Sequence, residues 1–157
     1  MTFRQLFVAV PAALLVLGHG VANAGQTIND AGALGCVVDK WDEKEPDKGH
    51  KLVDYAGRCV LIPDDPAVPK GTQVCVGKYE YMPDASWKGI GTCTSTYKGG
   101  DKTYETFEEG SHLKEYSYKK TGGTGKYQGA SGGGTYTNDN LTDTLTGGRF
   151  KGQLVLP

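Results

Sequence analysis

The sequence predicts an all-β fold, a closed antiparallel eight-stranded barrel, and three observations carry that prediction. Beyond residue 24, apolar residues alternate with polar ones, and no segment sustains a helical i, i+3, i+4, i+7 stripe over ten residues. The alternating runs are separated by clusters of Gly, Pro, Asp and Asn, which favour turns through positive φ, fixed φ and side-chain-to-backbone bonds. Glycine makes up 24 of the 157 residues, about twice the usual ~7%. It recurs inside the runs, where it lets strongly coiled strands bend. Closing such a sheet removes its exposed edges. A two-sheet sandwich has the same strand count and is the alternative.

Residues 1–24 read as a cleaved secretory signal peptide. Arg4 precedes a twelve-residue apolar run, Leu6 to Leu17, and the stretch ends in Ala22-Asn23-Ala24. A basic start, a short apolar core and an A-x-A site are the three parts of an export signal. Twelve apolar residues are too few to span ~30 Å of hydrocarbon, and Pro11 argues against a buried helix. Ala33-Leu34-Gly35-Cys36 loosely fits a lipoprotein box but lies far beyond the apolar core. The expectation is therefore a single β-barrel domain over residues 25–157, exported to the periplasm or the cell exterior, with no membrane span in the mature chain.

Eight strands are expected: Leu34–Trp41, Lys51–Ile62, Gln73–Met82, Ser86–Tyr97, Lys102–Glu109, Leu113–Thr121, Gly132–Asn138 and Leu145–Leu156. The alternation also sorts their faces. Val53, Tyr55, Gly57, Cys59 and Leu61 share one side of the second run, and Cys75, Gly77, Tyr79 and Tyr81 share one side of the third. In the fourth, Trp87, Gly89, Gly91, Cys93 and Tyr97 oppose Lys88, Thr92, Thr94 and Thr96. The side carrying Cys, Gly and rings is read as the interior.

The four cysteines form an even set, which in an exported chain implies disulfides rather than thiol chemistry. Cys36 and Cys59 are centred on EPDKG, Cys59 and Cys75 on PDDPAVPKG, and Cys75 and Cys93 on Pro83-Asp84. Symmetric turns would set all four sulfurs at one height on successive strands, where only neighbours come close enough to bridge. That favours Cys36–Cys59 with Cys75–Cys93 among three formal connectivities, provided neither a bulge nor sheet closure intervenes.

Charge excludes some partners. A formal net charge of −1 offers no electrostatic footprint for nucleic acid or an anionic membrane surface. Motifs exclude some chemistry. Gly129-Ala130-Ser131-Gly132-Gly133 satisfies G-x-S-x-G, but a nucleophile elbow needs a strand-to-helix turn and a downstream His, and none follows His112. Gly122–Lys126 lacks the Walker spacing, with Lys120 where the first Gly belongs and Tyr127 in place of Ser or Thr. His50 and His112 are isolated, so no zinc site is expected. The acidic turns around Asp42–Asp47 and Asn138–Asp143 do not fit a twelve-residue calcium loop. No metal, no cofactor and no catalytic residue is therefore assigned.

Gly122–Tyr136 reads GGTGKYQGASGGGTY and is followed by Gly147-Gly148-Arg149-Phe150. This resembles the GGTGxF/Y-x-G-x-x-G signature of the allene-oxide-cyclase-like and dirigent-like, calycin-like β-barrels. It is most similar to small exported bacterial members of unknown function, in which a GTC-T segment (here Gly91-Thr92-Cys93-Thr94) and a Gly-Asp-Lys hairpin (here Gly100-Asp101-Lys102) precede it. The resemblance covers Ser86 to the C-terminus. Physically the motif reads as structural, since successive glycines let a strand corner turn sharply and Tyr127 can plug the barrel end; a ligand-touching role is the alternative. Where the dirigent pattern has an Arg after the glycines, this chain has Ser131 and Gly132. No segment matches the cyclase active-site motif, so the family's functional residues do not carry over.

The interior rings are the most functional feature. Tyr55, Tyr79, Tyr81, Trp87 and Tyr97 would line the barrel with apolar bodies and polar tips, which suits a small apolar or aromatic ligand. The plain alternative is that they fill a barrel too narrow to hold anything. The leading expectation is thus a non-catalytic, disulfide-stabilised barrel with a small-molecule site. A second reading is an isomerase or cyclase acting on a lipid-like substrate. It rests on analogy and requires a buried carboxylate, with Glu105 and Glu115 the first candidates. A third is a protein-interaction module built on the Lys88, Thr92, Thr94 and Thr96 face.

Overall fold

The computed structural model describes residues 25–157, and the expected signal-peptide helix lies outside them. Ten strands form one antiparallel sheet: β1 (Gln26–Asn29), β2 (Gly32–Asp47), β3 (His50–Pro63), β4 (Gly71–Tyr81), β5 (Trp87–Tyr97), β6 (Lys102–Gly110), β7 (Tyr116–Gly123), β8 (Ser131–Tyr136), β9 (Asp139–Asn140) and β10 (Leu145–Leu156). No α-helix occurs among the described residues; a single 3-10 turn spans Gly125–Tyr127. Strands β2 to β8 pair in chain order, and β10 pairs with both β2 and β8, closing an eight-strand ring.

The ring departs from a clean barrel at β10, which spans breaks in both neighbours. Residues 153–156 meet β1 and residues 145–150 meet β2 on one edge. On the other edge β10 meets β8 and then β9. Each of the two breaks, at Asp30-Ala31 and Thr137-Asn138, keeps a backbone bond to β10: the Asp30 N–H donates to the Gly152 carbonyl and the Thr137 N–H to the Arg149 carbonyl. The short strands β1 and β9 lie in segments whose polar composition hides them from a periodicity search.

Observed boundaries differ most in the first hairpin. β2 and β3 continue through most of EKEPDKG, leaving only Lys48-Gly49 as the turn, with Gly49 at φ 78°. Two bulges, between Val38 and Lys40 and between Lys44 and Asp47, absorb the extra residues. Below them the ladder sets Cys36 opposite Cys59.

Two disulfides, Cys36–Cys59 and Cys75–Cys93, each join directly opposed residues. The four sulfurs do not share one height, however. Between β3 and β4 Cys59 faces Gln73, while Cys75 faces Gly57. The PDDPAVPKG loop is asymmetric, because β3 runs on to Pro63 and β4 starts only at Gly71. Such a stagger between neighbours is what ring closure requires.

One end of the ring is closed. Tyr127 of the 3-10 turn packs against Tyr97 at 4.7 Å between centroids, with Ala130 and Leu154 buried around them. Burying these groups contributes roughly 1.5–3 kcal/mol per large apolar side chain. The turn that delivers Tyr127 is made by Gly125, at φ 56°, and Gly129, at φ 73°. The GGTG segment is thus a plug mount, as the physical reading of its glycines and Tyr127 expects.

Candidate functional site

Above the plug, the inward side chains enclose a cavity of about 240 Å³. Tyr55, Tyr79, Tyr81 and Trp87 line it, together with Trp41, Tyr116, Tyr118 and Tyr136. Tyr97 does not. It lies in the plug layer, where its hydroxyl is 3.3 Å from Thr103. Gly89 lies bare opposite this ring set because a Cβ there would collide with the Tyr79 ring; Gly91 makes the same room for Phe107.

The rings are mutually packed around the mouth. Trp41 lies 5.4 Å from Tyr79 and 6.3 Å from Tyr81; Tyr79 and Tyr81 are each 6.0 Å from Trp87, which is 5.9 Å from Tyr116. These are the separations at which aromatic pairs attract beyond simple burial. Trp41 is 43% exposed, and Tyr81, Trp87 and Tyr116 are half-buried, so this end is where the cavity meets solvent.

Two polar tiers lie within. The deeper one is an ion-paired network. Lys120 Nζ donates to Glu105 Oε2 at 2.6 Å and lies 3.4 Å from Asp30 Oδ2. Gln73 Nε2 donates to Glu105 Oε1 at 2.5 Å and to Ser95 Oγ at 3.1 Å, and the Tyr118 hydroxyl donates to Asp30 Oδ2 at 3.0 Å. Burial alone would make Lys120 easier to deprotonate, but the Glu105 and Asp30 charges outweigh it and hold the ammonium well above the usual lysine range.

The upper tier is built on Glu109. Its carboxylate is buried and accepts from the Tyr79 hydroxyl at 2.7 Å and the Tyr136 hydroxyl at 2.6 Å. No cation of the described residues lies within 4.0 Å of it. Its charge reaches five phenols. Burial first and Glu109 second push Tyr55 up to about 12 and raise Tyr79, Tyr81, Tyr116 and Tyr136 above the usual tyrosine range.

Of the two acids named for an isomerase, Glu105 points inward but has both oxygens engaged by Lys120 and Gln73. Glu115 lies outside β7, 39% exposed, and meets Lys151 at 2.7 Å and Thr135 at 2.8 Å. Glu109 was legible only as a residue sharing parity with Phe107. Among the described residues no group of three or more His, Cys, Asp or Glu side chains could hold a metal ion. The outer face of β3 to β5 carries Val60, Val74, Val76 and Ile90, each more than half exposed, a patch that the alternation places opposite the rings.

No family model matches the chain, and no curated protein matches it. Solved structures do: 16 chains match its fold. The pterocarpan synthase dirigent protein GePTS1 shares a TM-score of 0.55 at 10% identity, over 84% of this chain and 91% of that one. The pterocarpan synthase dirigent protein PsPTS1 reaches a TM-score of 0.49 at 9% identity, over 83% and 94%. The likeness to GePTS1 shows an all-β, dirigent-like fold. The likeness is one of fold, and at this identity it assigns no activity to the cavity.

Proposed function

We propose that this protein is an exported, non-catalytic binding protein that holds a small apolar or aromatic molecule inside a closed β-barrel. The observation that carries the reading is the ring-lined cavity of about 240 Å³ above the Tyr97–Tyr127 plug. Its volume lies just below the ~300–1,000 Å³ of drug-sized pockets, which suits a molecule of one or two rings. The export signal read in residues 1–24 and the two disulfides fit an oxidising compartment. Glu105 is committed to Lys120 and Gln73, which favours binding over an isomerase built on that acid.

Both tryptophans of the chain, Trp41 and Trp87, stand at the mouth, so intrinsic fluorescence reports on occupancy. Titration with phenethyl alcohol, a neutral one-ring probe, is expected to change the emission saturably and raise the unfolding midpoint. An emission spectrum unmoved up to the solubility limit of one- and two-ring probes would refute the reading.

A further inference from the structure

We propose that the molecule this cavity selects is cationic: an aromatic or short alkyl amine whose positive group lies against Glu109, within the rings of Trp41, Tyr55, Tyr79, Tyr81 and Trp87. The inference rests on the binding function above and specifies its ligand. Its first support is charge. The cavity lining contains three carboxylates, Asp30, Glu105 and Glu109, and a single ammonium, Lys120. That ammonium is spent on the first two, at 3.4 and 2.6 Å. Glu109 is left with two phenolic donors. Hydroxyl donors replace part of the water a carboxylate loses on burial, but they do not neutralise it.

The second support is the walls. Aromatic faces are the negative side of the ring quadrupole and attract a cation within about 6 Å of the centroid. Neighbouring rings of the mouth lie 5.4 to 6.3 Å apart and all five line the cavity, so a group entering it comes within reach of more than one ring. Burial is the main reason the Tyr55, Tyr79, Tyr81, Tyr116 and Tyr136 phenols are harder to ionise, and the Glu109 charge adds to it in each. A hard metal cation would want six or more oxygen ligands; one carboxylate among rings suits an organic cation instead. A neutral ligand would bury Glu109 more deeply without answering its charge, and an anion would be repelled.

The test compares probes of one shape and three charges on the full-length mature protein: phenethylamine, phenethyl alcohol and hydrocinnamate, at pH 7 by calorimetry. The amine is expected to bind at least about tenfold tighter than the alcohol, with hydrocinnamate weakest. Glu109→Gln should bring amine and alcohol within about threefold of each other. Glu115→Gln, which removes an equal charge outside the ring, should leave the ratio unchanged. Circular dichroism checks that both variants fold, and the wild-type comparison decides the matter even if one does not. An alcohol that binds wild type as tightly as the amine overturns the charge preference and leaves the binding function standing. A preference that survives in Glu109→Gln overturns the role of Glu109. If no probe binds, both readings fall.

Discussion

Glu105 and Glu109 lie on the same strand, four residues apart, and both point into the ring, yet one meets an ammonium and the other only two phenols. The deeper acid has its counterion directly across the β6–β7 ladder at Lys120. The upper acid is opposite Gly89 and looks across at rings. The deep tier resembles a locked structural network, satisfied within the chain. The upper tier is satisfied in hydrogen bonds but not in charge. That difference separates a part of the interior whose charges are paired from a part whose carboxylate has no cation beside it.

The largest expected effect tests the deep tier. Lys120→Met leaves the buried Glu105 and the partly buried Asp30 without a cation and should cost about 3–5 kcal/mol in urea denaturation. The double variant Glu105→Gln with Lys120→Met should recover part of that loss, because it removes the stranded charge along with its partner. A cost under about 1 kcal/mol for Lys120→Met would erase the distinction between the tiers.

Alkali should act next, on both tiers. Below pH 10 the phenols are protonated in folded and unfolded chains alike; above it the unfolded chain gives up those protons while folded Tyr55 keeps its own until about 12. Tyr79, Tyr136 and Lys120 shift in the same direction. Stability should therefore fall as pH rises above 10. Tyrosinate absorbance should climb together with unfolding rather than ahead of it, and early, non-cooperative ionisation of most tyrosines would contradict the buried ring set.

Smaller effects belong to the mouth. Glu109→Gln keeps an acceptor for the phenols, so its stability should change by about 1 kcal/mol or less, while the Tyr55 titration moves back toward 10. A loss as large as that of Lys120→Met would mark Glu109 as structural and collapse the comparison. Trp41→Ala, at a site 43% exposed, should cost less than about 1 kcal/mol while dulling the fluorescence response to ligand. These two variants sharpen the contrast by separating binding from folding.

How much of this was readable in advance depended on whether phase survived along a strand. In β4 and β5 the alternation runs unbroken, and Cys75, Tyr79, Cys93 and Tyr97 fall inside together. In β2 it does not. Counting by twos from Cys36 puts Trp41 outside, but the bulge between Val38 and Lys40 advances the phase by one residue and brings its ring to the mouth beside Tyr55. Lys120 and Glu109 were hidden for a different reason. Both have inward parity, and only a partner from another strand, or a cavity, makes a buried charge tolerable. Tyr97 shows the opposite error: its face was legible but its depth was not, because depth depends on which end the Gly125–Tyr127 turn seals.

That seal makes the interior a cul-de-sac. On the binding function proposed above, a guest would arrive and depart by one doorway and enter head first. Selectivity should fall on the leading group and be lax toward whatever trails behind it. How long a guest stays should follow the swing of the indoles at the threshold, not the breathing of the sheet.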